Sequence, residues 1–370
     1  MTHKERFRAV FGGGRPDRLP VYFFGTWAET KRRWASEGLA GARAGGDPGP
    51  QVPGMDPDWE EGMWDCHGLV SPWPIGDFKE EVLERGEDYV IRRTQLGAVE
   101  RSSLRGSSIP LAVRHALEPT RASWERFKSF LDPGDPRRRP AGWREKAAAL
   151  AERDALLCFM GGSLYGWLRD YMGVEAISCL MYDDPELLSE MVAHMADFFM
   201  AVYEPVLKAV RFDLAYFFED CCGSTGPLFS PSAHGEFFDA HYRRMVGFYK
   251  ENGVGFTLLD SDGKVDRLLP CWMASGIDIV FPVEVGAWGE SPARLRGLFG
   301  GGLKMMGGVN KHVIPLGEDA IRAHLAELKP VVDEGGFLPM PDHRIPPECS
   351  YADFLTYVRV YGEVFAQGGA

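Results

Sequence analysis

From residue 155 onward the chain alternates short, almost wholly apolar runs with longer amphipathic stretches. The runs are ALLCFMGG (155–162), DLAYFFED (213–220), GFTLLDSD (255–262), DIVFPVEV (278–285), LKMMGGVN (303–310) and GFLPMPDH (336–343). Continuous apolarity with little period-two alternation predicts strands buried on both faces, as in a parallel sheet. Between them, patterns such as DDPELLSEMVAHMADFFMAVYEPVLKAV predict helices, here with Asp184 as cap and Pro185 in the first turn. That βαβα order predicts a parallel sheet covered by helices. LPVYFF (19–24) reads as one more, early strand, which leaves the count one short of a closed eight-stranded barrel.

The segment from about 40 to 140 is irregular and rich in Gly, Pro and Trp. Within it DYVIRRTQLGAVERSSL predicts a hairpin turning near Gly97, and GLAGARAGGDPGP predicts a mobile surface loop. LDPGDPRRRPAGW reads as a turn-rich connector rather than a linker, because a helix pattern and a strand follow at once. With no linker and no repeat, residues 1–370 are expected to form one domain that carries this insertion. A barrel of alternating strands and helices reaches such a length as a single unit.

Composition narrows the partners. Acidic residues outnumber basic ones by 53 to 41, for a formal charge of −12, so the average field opposes nucleic acid and anionic membrane. No run approaches the roughly 20 apolar residues that span a bilayer, and the charged N-terminus lacks a signal's apolar stretch. Seven cysteines, with no CxxC pair, suit a reducing cytoplasm.

Chemistry gathers at the C-terminal ends of the predicted strands: Glu219 and Asp220, Asp260 and Asp262, Glu284, Asn310 and Lys311, and Asp342 with His343. In a barrel of parallel strands these ends share the face that carries the active site. Each has a structural alternative. Asp262 before Gly263 can cap a helix starting near Lys264, whereas Asp260 lies too early to cap it. Glu219 follows an aromatic run, where an unpaired carboxylate has a raised pKa. Glu284 follows a proline that cannot donate to a ladder, so its strand is expected to bulge. His343 can act as base, cation or metal ligand. Phe24, Trp27 and Tyr216 suit a flat organic substrate or the core. Cys221 and Cys222 can face the pocket or serve as small buried hydrophobes. The zinc-protease, serine-hydrolase, phosphate-loop and dinucleotide signatures are absent.

RPDRLPVYF, YGWLRDYMGVE, YDDPELL, FFEDCCGSTGPLFSP, LDSDGKVDRLLPCWMASGIDIVFPVEV, MMGGVNK and GGFLPMPDHRIPPECSYADF together resemble the uroporphyrinogen decarboxylase superfamily, in order along nearly the whole chain. The resemblance implies a (β/α)8 TIM barrel with its site in the mouth, and a homodimer. The superfamily holds cofactor-free decarboxylases and zinc-dependent methyltransferases that work with a corrinoid on a small partner protein. The arginine-rich segment of the decarboxylases is not kept: the matching place reads FFGTWAETKRRW. Where the methyltransferases keep a zinc-binding His-x-Cys and a later Cys, this chain has Asp260-Ser261-Asp262 and His343. The resemblance therefore implies methyl transfer or demethylation of a small organic substrate, with methylcobalamin on a separate protein. Zinc is expected on Asp260, Asp262 and His343, with Glu219 or Glu284 as a further ligand; Asp260, Asp262, Glu219 and His343 are the expected catalytic residues. Phe24, Trp27, Tyr216, Cys221, Glu284, Lys311 and Asp342 are expected to bind substrate. A metal-independent carboxy-lyase acting on a carboxylated aromatic or pyrrolic compound is the alternative.

Overall fold

Six of the apolar runs form strands in the computed structural model, which describes residues 1–39, 52–57, 59–105 and 109–366. The stretch expected to be a mobile loop falls almost wholly on 40–51, outside the described residues. In chain order an antiparallel meander comes first: β1 (Glu81–Arg85), β2 (Tyr89–Arg93), β3 (Val99–Ser103) and β4 (Leu111–Arg114). Its central hairpin pairs Tyr89 with Ser103 and Arg93 with Val99, and Gly97 supplies a left-handed φ of 84° in the turn.

Then follow β5 (Cys158–Gly162), β6 (Leu214–Phe218), the two-residue pair β7 (Cys222–Gly223) and β8 (Gly226–Pro227), β9 (Phe256–Asp260), β10 (Ile279–Val283), β11 (Lys304–Val309) and β12 (Phe337–Pro341). The long strands form one parallel sheet in the order β12-β11-β10-β9-β6-β5. They are buried almost throughout, which is why their sequences are apolar without alternation. Helices connect them. The longest, Pro185–Leu207, starts with Asp184 accepting the Leu187 N–H at 3.0 Å. One hydrophobic cluster runs from Phe7 to Phe365.

The expected eight-strand closure is not made by backbone ladders among the described residues. Segment 19–24 is no strand, although Leu19, Val21 and Tyr22 are buried. Pro20 cannot donate to a ladder, and Gly25 turns the chain with φ at 69°. Only Thr26 bridges, in parallel, to Ile345 beyond β12. At the other edge the helix Trp59–Cys66 lies over the start of β5, where a Cβ on Gly62 would stand 1.9 Å from the Leu156 carbonyl oxygen. Covering an edge this way removes a pairing hazard that a ladder would otherwise remove.

The connector 131–143 winds around Arg138. Its buried guanidinium donates to the carbonyls of Asp132, Ser71, Trp73 and Phe130 at 2.6–3.1 Å. No helix among the described residues is long and apolar enough to cross a membrane.

Candidate functional site

Register brings the strand ends together. Phe218 lies opposite Asp260, and Asp260 opposite Phe281, so the loops after β6, β9 and β10 leave the sheet at one level. After Asp260 the chain turns at once: the Ser261 N–H donates to the Phe281 carbonyl at 2.9 Å. Gly263 then takes φ at 89°, so close to Cys222 that a Cβ would stand 2.7 Å from its carbonyl carbon. Only glycine fits there, and the turn aims the Gly263 N–H at Glu284 Oε2, 3.1 Å away. No helix begins near Lys264, the next one spanning Leu269–Ala274, so Asp262 is not a helix cap. Its carboxylate instead faces His343, with Oδ2 3.6 Å from Nε2.

Asp262, Glu284 and His343 each offer one ligand atom, and these atoms all lie within 4.8 Å of one another. Of the expected group Asp262 and His343 are present with Glu284, the further ligand, while Asp260 is not among them. The reason is local. The β10–β11 register shifts between Val280 and Val283, as the proline led us to expect, and the Gly263 N–H then holds Glu284 against the β9 loop. Asp260, still within β9, accepts a hydrogen bond from the buried Tyr216 hydroxyl.

These acids are electrically distinct. Burial first, and then repulsion by Asp262, pushes the Glu284 carboxyl up to about 7, although the Gly263 N–H, His343 and Lys311 favour its charge. Burial drives Asp260 well above the usual carboxylate range, reinforced by Asp262, Asp220 and Glu284 and opposed by Tyr216. Burial thus disfavours the charged form of both Asp260 and Glu284.

Aromatic rings wall this group. Phe24 meets His343 edge-on, with centroids 5.4 Å apart, and Trp27 lies 6.0 Å from the imidazole. Sequence reasoning missed two neighbours. Trp59 stacks on Tyr216 at 5.1 Å and is fully buried; it sits in a stretch read as irregular, where nothing signalled that it reaches the sheet interior. The Arg344 guanidinium lies over Phe24 at 5.2 Å and pairs with Glu60 at 3.7 Å. Its place next to His343 was the available signal.

Other expected residues lie apart from the trio. Glu219 is buried and accepts the N–H groups of Leu164, Tyr165 and Gly166 at 2.8–2.9 Å, clamping the start of the helix Gly166–Met172. Burial raises its pKa against those bonds and one from Tyr242. Asp342, also buried, accepts from Val285, Gly286 and Lys311 main-chain N–H groups and staples three loops. Cys221 is buried, its N–H bonded to Ser261 Oγ at 3.0 Å; burial and its neighbour Cys222 push the thiol far up. Lys311 is 8% exposed. Beside Asp260, whose carbonyl accepts both the Glu219 and Asp220 N–H groups, Asp220 holds a left-handed φ of 38°, secured by Arg169 at 2.7 Å.

No protein-family model matches the chain, and no curated protein does. Among solved structures, a methyltransferase from Methanosarcina mazei is similar over 99% of this chain and 100% of its own, with TM-score 0.59 and 16% identity. That likeness shows a shared α/β fold. A putative vitamin-B12-independent methionine synthase from Listeria monocytogenes (TM-score 0.35, 16% identity, 61% of this chain and 70% of that one) is similar in part. So is a B12-independent methionine synthase from Shewanella sp. W3-18-1 (0.37, 14%, 61% and 66%).

Proposed function

We propose that this chain is a methyl-transfer enzyme that works at the strand-end mouth of a barrel-like sheet and holds a divalent metal, zinc by preference, on Asp262, Glu284 and His343. The observation that carries the reading is the convergence of those three donors from three separate strand ends. One imidazole nitrogen and two carboxylate oxygens fit zinc, which in catalytic sites takes three protein ligands and keeps a position open. When bound, such a metal polarises the heteroatom that gains or loses the methyl group. Segment 19–27 and the helix Trp59–Cys66 complete the (β/α)8-type barrel in this reading.

The protein's own groups do the rest. Asp260, biased by burial toward its protonated form and bonded to Tyr216, is placed to hand a proton to a leaving heteroatom or to hold one there. Phe24 and Trp27 offer ring faces and edges to a flat substrate and keep water from His343. The methyl carrier in this proposal is a corrinoid on a separate cytoplasmic protein, and the enzyme is a homodimer. Both features rest on the sequence resemblance.

Carboxy-lyase chemistry on a porphyrinogen would need basic groups gathered against substrate carboxylates. The available basic run is spent elsewhere: Arg33 donates to the Pro347 and Glu348 carbonyls at 2.7 and 2.9 Å, and the exposed Arg32 pairs with Glu29. This favours methyl transfer. Elemental analysis of protein purified without chelator should find about one metal per chain, lost in Asp262→Asn and His343→Ala. The metal-loaded enzyme should demethylate methylcobalamin with a thiol acceptor. Absence of both metal and turnover would sink the reading.

A further inference from the structure

The meander β1–β4 forms a sheet of its own, and none of its strand residues is fully buried. A small sheet needs apolar cover to hold together in water. Its two edges are unlike. Both carry a register shift, so charge is what separates them. β1 reads EVLER, and Glu81, Glu84 and Arg85 set charge along the rim, a device that keeps an edge from pairing with another chain. β4 reads LAVR, and its one charged residue, Arg114, turns back to donate to the Gly97 carbonyl at 3.0 Å. Ile109, Leu111 and Val113 are 88%, 65% and 58% exposed, and among the described residues no strand lies on the far side of β4. Pro110, which has no N–H to offer, falls just before the strand. A row of unpaired main-chain groups beside apolar side chains is thus left open.

The strand order says what closes it. A foreign strand laid on β4 would only move the open edge outward by one strand. A second β4, antiparallel across a two-fold axis, leaves no such edge, because the resulting eight-stranded sheet ends on both sides at the charged β1. Charge points the same way. The chain carries −12, so two copies repel over most of their surfaces. Residues 81–114 hold six basic and five acidic side chains, which makes this segment +1 and the remainder −13. The meander is therefore the place where two copies meet at least electrostatic cost.

We propose that β4 pairs with β4 of a second copy of this chain, with Ile109, Leu111 and Val113 packed across the two-fold axis. The homodimer of the functional reading rests on the resemblance, and this inference, which deepens that reading, gives the homodimer its interface. Four residues per strand make a small contact, so the two copies associate in a concentration-dependent way.

Analytical ultracentrifugation of the full-length protein between about 1 and 100 µM tests this. A species of 41.2 kDa should give way to one of twice that mass as concentration rises. The double variant Leu111→Lys, Val113→Lys sets like charges against each other across the axis and should weaken association at least about tenfold. Val82→Lys, on the other edge, should leave it unchanged. All three positions are exposed, so these variants should melt with the wild type. Cross-linking supplies a readout that does not depend on losing anything. In a Cys179→Ser background, which removes the exposed native thiol, at least one of Leu111→Cys, Ala112→Cys and Val113→Cys should yield a disulfide-linked dimer on mild oxidation, and Val82→Cys should not. A dimer that survives the double lysine variant overturns this interface and leaves the homodimer standing. A wild type that stays monomeric throughout overturns both, and open-ended aggregates in place of a closed dimer overturn the two-fold pairing. Zinc content is measured separately, and none of these outcomes bears on the metal trio.

Discussion

Asp260 and Asp262 stand two residues apart, yet the turn at Gly263 sends them to different partners, Tyr216 and His343. Position at a strand end made both visible in sequence as candidate site residues. What stayed hidden was which acid joins His343, because that depends on the β10 register shift and on one main-chain N–H. The separation has measurable consequences. In chelated protein the Glu284 carboxyl titrates near 7 when folded and at an ordinary 4.5 when unfolded. Below pH 4.5 both states are protonated. As pH rises to 7 the unfolded chain ionises first, so stability falls by about 3 kcal/mol. Glu284→Gln should therefore gain on the wild type across that window in urea unfolding with chelator present, and a pH-independent difference would refute the argument. At Asp260 the pair with Tyr216 is buried. Asp260→Asn keeps a polar partner for that hydroxyl, whereas Asp260→Ala strands it, so alanine should be the less stable by about 2 kcal/mol. Equal melting of the two variants would mean that Tyr216 finds another partner.

At the scale of elements, the six long strands were legible because each is apolar on both faces, and a helix pattern cannot be confused with runs so short and so regularly interrupted. The hairpin around Gly97 was legible from its turn residue. The outer strands β1 and β4 were not, since most of their residues face solvent and carry no burial pattern. Segment 19–24 misled for the opposite reason: burial alone imitates a strand, but Pro20 and Gly25 leave it without a ladder. The loop from Asp260 to Gly263 depends on a single conformational allowance. Gly263→Ala must force a Cβ against the Cys222 carbonyl at a φ that alanine avoids, at a cost of about 1–3 kcal/mol. Because the same residue donates to Glu284, zinc affinity should fall together with stability. Paired thermal melts and zinc titrations check this, and a variant that loses stability yet binds zinc as tightly as before would show that Glu284 needs no such support.

Over the whole molecule, one core joins the sheet, its helices and the insertion, so pH acts on the fold through groups scattered across it. Sequence could count nine histidines but could not tell which are buried. His67, His194, His234 and His324 are all pushed below the ordinary imidazole range, burial being the first cause in each. A group whose folded pKa is depressed lets the unfolded chain take protons that the folded chain refuses, so stability drains away as pH falls below about 6.5. Glu284 and Asp260 act with the opposite sign, gaining stability towards acid, and the two trends partly cancel between pH 4.5 and 7. A single substitution separates them. His234 is buried, stacks flat on Tyr242 at 5.6 Å, and its Nε2 has no hydrogen-bond partner among the described residues. Asp239 favours its charged form and Arg243 opposes it, but neither outweighs burial. Phenylalanine preserves the stack and cannot take a proton, so His234→Phe should match the wild type near pH 7.5 and exceed it by a margin that widens towards pH 5. Urea unfolding at both pH values reads that margin. If it stays constant or narrows as acid is added, His234 is protonated inside the fold, and the acid sensitivity of this protein lies with its other histidines.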